Sequence, residues 1–205
     1  MSAIKCIGIL RGIEEKHIEP VIRIASECGL NEIEVTMNTP NVLHLIHKMK
    51  KLVPKEMKVG AGTVTTMKEL IEALNAGAQF IVTPVVRSNI IIECKNSKIP
   101  IYPGALTPTE VYHAWHQGAT MVKVFPASVF GPKYFRELKG PFNKIKLMAV
   151  GGVTADNVSE YIKNGADAIA VGGSVFNLDL LNKEDYETIK ERLGKIINNI
   201  NTDIS

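Results

Sequence analysis

Trp115-His-Gln-Gly118-Ala-Thr-Met-Val-Lys-Val124 compresses a helix end, a tight turn and a strand into a single stretch. The same order of residue types recurs in Ala25-Ser-Glu-Cys-Gly29-Leu-Asn-Glu-Ile-Glu-Val35, Leu74-Asn-Ala-Gly77-Ala-Gln-Phe-Ile-Val82 and Ile162-Lys-Asn-Gly165-Ala-Asp-Ala-Ile-Ala-Val171. In each, the glycine stands where a helix C-terminus needs a left-handed backbone, and the β-branched run behind it suits a strand buried on both faces. Helix, short turn and buried strand, repeated, define an α/β chain.

Helix starts are marked as clearly. Thr66-Met-Lys-Glu69 and Thr107-Pro-Thr-Glu110 read as capping boxes, the second with proline at the first helical position. Strands are expected at Ile7 to Leu10, Glu32 to Thr36, Lys58 to Gly60, Phe80 to Val82, Ile101 to Tyr102, Met121 to Val124, Lys146 to Val150 and Ala168 to Val171. Eight βα units match a (β/α)8 TIM barrel, expected as one domain over residues 1–205. An open Rossmann-type sheet is the runner-up, but no Gly-x-Gly-x-x-Gly follows the first strand.

Composition narrows the partners. The 205 residues carry 24 basic and 21 acidic side chains, a net charge of +3 without a long run of one sign, so nucleic acid is not expected as a partner. The apolar stretch within Met1 to Leu10 is far shorter than the roughly 20 residues of a membrane span and lacks a signal-peptide cleavage region. Cys6, Cys28 and Cys94 are odd in number and widely spaced, which fits buried, reduced thiols and a cytoplasmic location. The polar Asn198 to Ser205 is expected to fray.

In a barrel of this kind, chemistry gathers at the C-terminal ends of the strands. The polar or turn-forming residues there are Arg11, Glu34, Thr36, Thr63, Thr83-Pro84, Pro103-Gly104 and Lys123. Side chains alternate along a strand, so Val122 and Val124 take the helix-packed face and Lys123 points inward with Met121 and Phe125. An inward ammonium loses hydration, which favours the neutral, nucleophilic amine, able to form an imine with a ketone. The same alternation puts Glu34 and Thr36 inside, and a half-buried glutamate can move protons for such an imine. Two bland readings stand beside these: Lys123 as a solvated mouth residue, and the two side chains as a structural ion pair.

Glycine pairs follow the last two strands, in Val150-Gly151-Gly152-Val153-Thr154 and Val171-Gly172-Gly173-Ser174. Bare backbone at these loops is the usual barrel site for phosphate, and Ser174 adds a hydroxyl; tight turns are the structural alternative. No metal is expected. His44 with His47, and His113 with His116, have helical spacing and belong on the outside of a barrel, away from any cluster of strand-end ligands.

Six strings resemble the 2-keto-3-deoxy-6-phosphogluconate and 4-hydroxy-2-oxoglutarate aldolase family: Ile9-Leu10-Arg11-Gly12, Ile33-Glu34-Val35, Gly60-Ala61-Gly62-Thr63-Val64, Ile81-Val82-Thr83-Pro84, Val122-Lys123-Val124-Phe125-Pro126-Ala127 and Val150-Gly151-Gly152-Val153. They occur in the family's order from about Ile7 to Phe176 with nothing large inserted. The resemblance implies a cofactor-free class I aldolase, a homotrimer of barrels, which reversibly cleaves a phosphorylated 2-keto-3-deoxy sugar acid to pyruvate and D-glyceraldehyde 3-phosphate. It implies Lys123 as the imine lysine and Glu34 as the acid/base working through a bound water. Arg11 and Thr63 would hold the pyruvate carboxylate or nearby oxygens, Phe125 would wall the imine and Pro84 would shape the pocket floor. Gly151, Gly152, Gly173 and Ser174 would take the phosphate.

Two positions depart from the gluconate branch. Asn38 stands where that branch usually has arginine, which makes Arg11 the substitute for carboxylate recognition, and Val150 stands where it often has threonine. Both look closer to the 6-phosphogalactonate aldolase branch. The valine removes a hydrogen-bonding hydroxyl near C4, the carbon at which the two sugar acids differ. The competing classes are a phosphosugar isomerase or epimerase working through carboxylates, and a barrel that binds a phosphorylated metabolite without chemistry. The latter is expected to lack the inward lysine or glutamate.

Overall fold

The four glycines of the repeated unit take left-handed φ values of 82° at Gly29, 104° at Gly77, 114° at Gly118 and 99° at Gly165. Each closes its helix in the same way. The N–H of Leu30, Ala78, Ala119 or Ala166 donates to the carbonyl five residues back, at 2.8 to 3.1 Å, satisfying a helix-end acceptor before the strand begins. Both capping boxes form: Thr66 Oγ1 accepts from the Glu69 N–H at 3.1 Å and Thr107 Oγ1 from that of Glu110 at 3.3 Å, each glutamate reaching back in return.

The computed structural model describes residues 4–202. Among them the strands β1 Lys5–Leu10, β2 Glu32–Thr36, β3 Lys58–Gly62, β4 Ile81–Thr83, β5 Ile101–Ala105, β6 Val122–Val124, β7 Leu147–Val150 and β8 Ala168–Val171 close into a parallel barrel, β8 pairing back onto β1. The helices α1 Ile18–Glu27, α2 Val42–Leu52, α3 Met67–Asn75, α4 Ser88–Asn96, α5 Pro108–Gln117, α6 Lys133–Lys139, α7 Val158–Lys163, α8 Leu178–Asn182 and α9 Tyr186–Thr202 surround it. This is the (β/α)8 barrel that the strand spacing predicts.

Strand alternation divides the apolar residues into two cores. Ile33, Val35, Val122, Val124 and Ile169 pack outward against the helices, while Ile7, Phe80, Val82, Tyr102, Met121, Met148, Val150, Ala168 and Ala170 fill the barrel. Gly60 on β3 makes room for the Phe80 ring, since a β-carbon there would overlap it. Below these side chains the Tyr102 hydroxyl donates to Glu32 Oε2 at 3.0 Å, and Lys5 pairs with the other oxygen of the same carboxylate. The interior is therefore packed and its N-terminal end is plugged.

Three expectations need correction. β3 and β5 run further than the β-branched runs suggest: Gly62 pairs with Thr36 and Gly104 with Lys123, because a ladder needs backbone rather than side chains. Cys6 and Cys94 are buried and their thiols are pushed up to about 12, but Cys28 at the end of α1 is only half-buried. Asn198 through Thr202 continue α9, whose Ile196 and Ile200 are buried; the rest of the stretch expected to fray lies outside the described residues. His44, His47, His113 and His116 are exposed on α2 and α5, and no group of three metal-ligating side chains occurs among the described residues. No helix there is long and apolar enough to cross a membrane.

Candidate active site

β6 is only three residues long, and its alternation decides the site. Val122 and Val124 are held in the helix-packed core, so the Lys123 side chain enters the barrel and is only 6% exposed. On β2, Ile33 and Val35 do the same for Glu34, which is 1% exposed. Both open into one cavity of about 600 Å³ at the C-terminal mouth. Its wall contains Lys123 and Glu34, then Arg11, Thr63, Pro84, Phe125, Val150, Gly151, Gly152, Gly173 and Ser174, whereas Thr36, Asn38, Thr83, Pro103 and Gly104, also marked in the sequence, do not line it.

Lys123 and Glu34 share the cavity without forming an ion pair within 4.0 Å, and Glu34 Oε2 is buried without a hydrogen-bond partner. Burial dominates both pKa values. It lowers that of Lys123 from the ordinary lysine value, with Arg11 adding to the effect and Glu34 opposing it. It raises the Glu34 carboxyl from 4.5 to about 7, against the pull of Lys123 and Arg11. Each group is thus driven toward its neutral form, amine beside acid. The Lys123 Nζ lies 4.8 Å from the centroid of the Phe125 ring, whose face favours a cation at that nitrogen.

Arg11 spans the opposite rim. Its Nη1 donates to Asn38 Oδ1 at 3.0 Å and its Nη2 to Thr63 Oγ1 at 3.3 Å. Thr63 has φ 58°, a left-handed conformation that a β-branched residue adopts only at a cost of about 1–3 kcal/mol. Such local strain is typical of positions where the side chain has a task.

The glycine loops form the third side. Gly151 and Gly152 have φ 94° and 76°, so only glycine fits them without strain, and the Asn157 amide holds the Gly152 carbonyl at 2.9 Å from behind. Beyond β8, Val175 and Phe176 donate to the Gly172 carbonyl. The N–H groups of Gly152, Gly173 and Ser174 make no hydrogen bond among the described residues, leaving donors free for an anion.

Several lining residues escaped the sequence reading. Ile9 and Ala170 follow from the strand parity that gave Lys123. Asn177 caps α8, accepting from the Asp179 N–H at 2.8 Å, and an asparagine before the run Leu178-Asp-Leu-Leu was the available signal. Phe176, Leu178 and Asp179 carried none, since their place depends on how the last loop folds over the mouth.

A model of the KDPG and KHG aldolase family matches residues 1–192. The chain belongs to that family. It is accordingly an aldolase, a carbon–carbon lyase. It is 31% identical over 171 residues to the 2-dehydro-3-deoxy-6-phosphogalactonate aldolase of Escherichia coli (strain K12), covering 83% of each chain. A native KDPGal structure superposes with a TM-score of 0.92 at 26% identity, covering 100% of this chain and 98% of the other. The KDPG aldolase of Legionella pneumophila, solved with pyruvate captured as a covalent carbinolamine intermediate, shares the fold with a TM-score of 0.87 at 24% identity and 95% coverage of both chains. The barrel is common to this chain and both solved structures.

Proposed function

We propose that this aldolase works through an imine on Lys123 and reversibly cleaves a 2-keto-3-deoxy-6-phospho sugar acid, of the gluconate or galactonate type, to pyruvate and D-glyceraldehyde 3-phosphate. The observation that carries the reading is Lys123 itself, a buried amine without an ion-pair partner among the described residues, sharing a cavity with the protonatable Glu34. The neutral amine adds to the C2 ketone, and the protonated Glu34 gives its proton to the departing hydroxyl as water leaves the carbinolamine, which yields a protonated imine and a Glu34 carboxylate. Glu34 takes the proton of the C4 hydroxyl as the C3–C4 bond breaks, and the bonding pair moves into the enamine. The aldehyde leaves, C3 is protonated, and water returns pyruvate and the free lysine. No cofactor enters this sequence of steps.

Arg11 and Thr63 hold the substrate carboxylate and its neighbouring oxygens, Phe125 and Pro84 wall the reacting carbons, and Gly151, Gly152, Gly173 and Ser174 take the phosphate. Val150 offers C4 no hydroxyl, which with Asn38 favours the galactonate epimer, and 4-hydroxy-2-oxoglutarate is a lesser substrate. The working protein is a single-domain chain that assembles as a cytoplasmic homotrimer; exposed Val129 and Phe130, the latter tilted against the Tyr134 ring, give such an assembly apolar surface to cover.

Pyruvate with borohydride tests the imine: a stable adduct is expected at Lys123, and an unmodified lysine in the folded protein overturns it. Lys123→Ala abolishes turnover. A pyruvate-release assay on the galactonate, gluconate and 4-hydroxy-2-oxoglutarate substrates then ranks them, with the galactonate form fastest; release from none of them would sink the substrate assignment.

A further inference from the structure

We infer that Asn38, which does not line the cavity, is a positioning residue for carboxylate binding and acts by holding the Arg11 guanidinium at the rim. The inference rests on the reading of Arg11 as the carboxylate's partner. An arginine side chain carries about 2 kcal/mol of rotamer freedom, and Arg11 is exposed, so nothing in its packing fixes where the guanidinium points. Two hydrogen bonds do so instead, one from Nη1 to Asn38 Oδ1 and one from Nη2 to Thr63 Oγ1. They use two of the five N–H donors. The remaining donors are free for a planar, two-oxygen acceptor such as a carboxylate.

The acceptor is itself held in place. Asn38 lies on the turn after β2, where the Met37 N–H donates to the Gly62 carbonyl at 2.7 Å and the Thr39 N–H to that of Thr36 at 2.9 Å. The Thr39 hydroxyl binds Thr36 Oγ1 at 3.1 Å and accepts from the Gly12 N–H at 3.0 Å, next to Arg11 in the chain. The turn after β2 is therefore tied to the strand after it and to the loop before it, and Asn38 stands at a fixed distance from the base of Arg11. The chemistry of the side chain matters too. A carboxamide oxygen holds the guanidinium without neutralising it, whereas an aspartate there would compete with the substrate carboxylate for the same charge.

Removing the hold leaves Arg11 able to reach the substrate only after ordering itself, which corresponds to about a two- to tenfold weaker association for one rotamer-rich side chain. The test measures borohydride trapping of pyruvate on Lys123 as a function of pyruvate concentration. In Asn38→Ala the half-saturating concentration is expected to rise about two- to tenfold with the maximal trapping rate unchanged. In an Arg11→Ala background the same substitution is expected to add nothing, the coupling that a purely structural role would not produce. An unchanged half-saturation in Asn38→Ala, or an undiminished effect in the Arg11→Ala background, overturns the role of Asn38 alone. Failure of the unsubstituted protein to trap pyruvate at all overturns the imine reading and this inference together.

Discussion

Gly62 on β3 lies so close against the Glu34 carboxylate on β2 that no β-carbon fits between them. The absent side chain is what lets a buried carboxylate stand at the mouth with its Oε2 uncommitted. Gly62→Ala is expected to push the Glu34 side chain from its place, at a cost of about 1–3 kcal/mol for overpacking. Turnover should fall by at least about 100-fold, the lower end of what acid–base catalysis contributes, while borohydride still traps pyruvate on Lys123. Turnover close to that of the unsubstituted protein would show that Glu34 can move without consequence.

Glu34→Gln separates chemistry from stability. Turnover is expected to drop about 10²- to 10⁴-fold. The folded-state carboxyl is raised to about 7 from 4.5, so its contribution to stability is fully present below pH 4.5, where folded and unfolded chains both bind the proton. As pH rises toward 7 the unfolded chain loses that proton first, and stability falls by up to about 3 kcal/mol. Glutamine cannot titrate. Thermal midpoints followed from pH 4 to 8 should show the unsubstituted protein losing stability relative to Glu34→Gln across that window, and parallel curves would contradict the burial of the charge.

Thr63→Gly should make the protein more stable and a poorer binder. Glycine accepts φ 58° without strain, so relief of the left-handed threonine outweighs the added chain entropy by about 1 kcal/mol. Arg11 loses its hydroxyl acceptor, and the KM for pyruvate in the condensation direction should rise. Denaturant midpoints and steady-state kinetics check the two effects separately; a fall in stability would refute the strain.

Gly173→Asp tests the anion loop. Its φ is not left-handed and a β-carbon there meets nothing within 4 Å, so the fold tolerates a side chain. A carboxylate beside the free N–H groups repels a phosphate. The KM for the phosphorylated sugar acids should rise about tenfold or more, as like charges at close range in a partly buried site require, with the KM for 4-hydroxy-2-oxoglutarate unchanged. An equal rise for both substrates would place the phosphate elsewhere.

The barrel was legible because its signals are local. Gly29, Gly77, Gly118 and Gly165 each announce a helix end, and the β-branched runs behind them fix which face of the strand turns inward. That parity alone placed Lys123 and Glu34 in the barrel. The resemblance then joined Arg11, Thr63 and the glycine loops to them, and the structure brings all of these around one cavity. What parity could not reach was contact across loops. Asn38 reads in sequence as a missing arginine, yet its relation to Arg11 depends on two turns meeting in space. Gly62 and Gly104 read as the ends of strands, although the ladder runs through them, because glycine conceals strand periodicity while keeping its backbone partners. The last loop was hardest: Leu178 and Asp179 reach the mouth only through the fold of the segment after β8.

With Lys5, Glu32 and Tyr102 plugging the base of the barrel, the cavity among the described residues opens at the C-terminal mouth. Under the proposed imine mechanism, the half of the substrate joined to Lys123 would sit deepest and the phosphorylated half would lie across the exit. Traffic must therefore be ordered: the aldehyde departs while its partner is still tethered, pyruvate follows once water has cut the tether, and in the reverse direction pyruvate has to enter first.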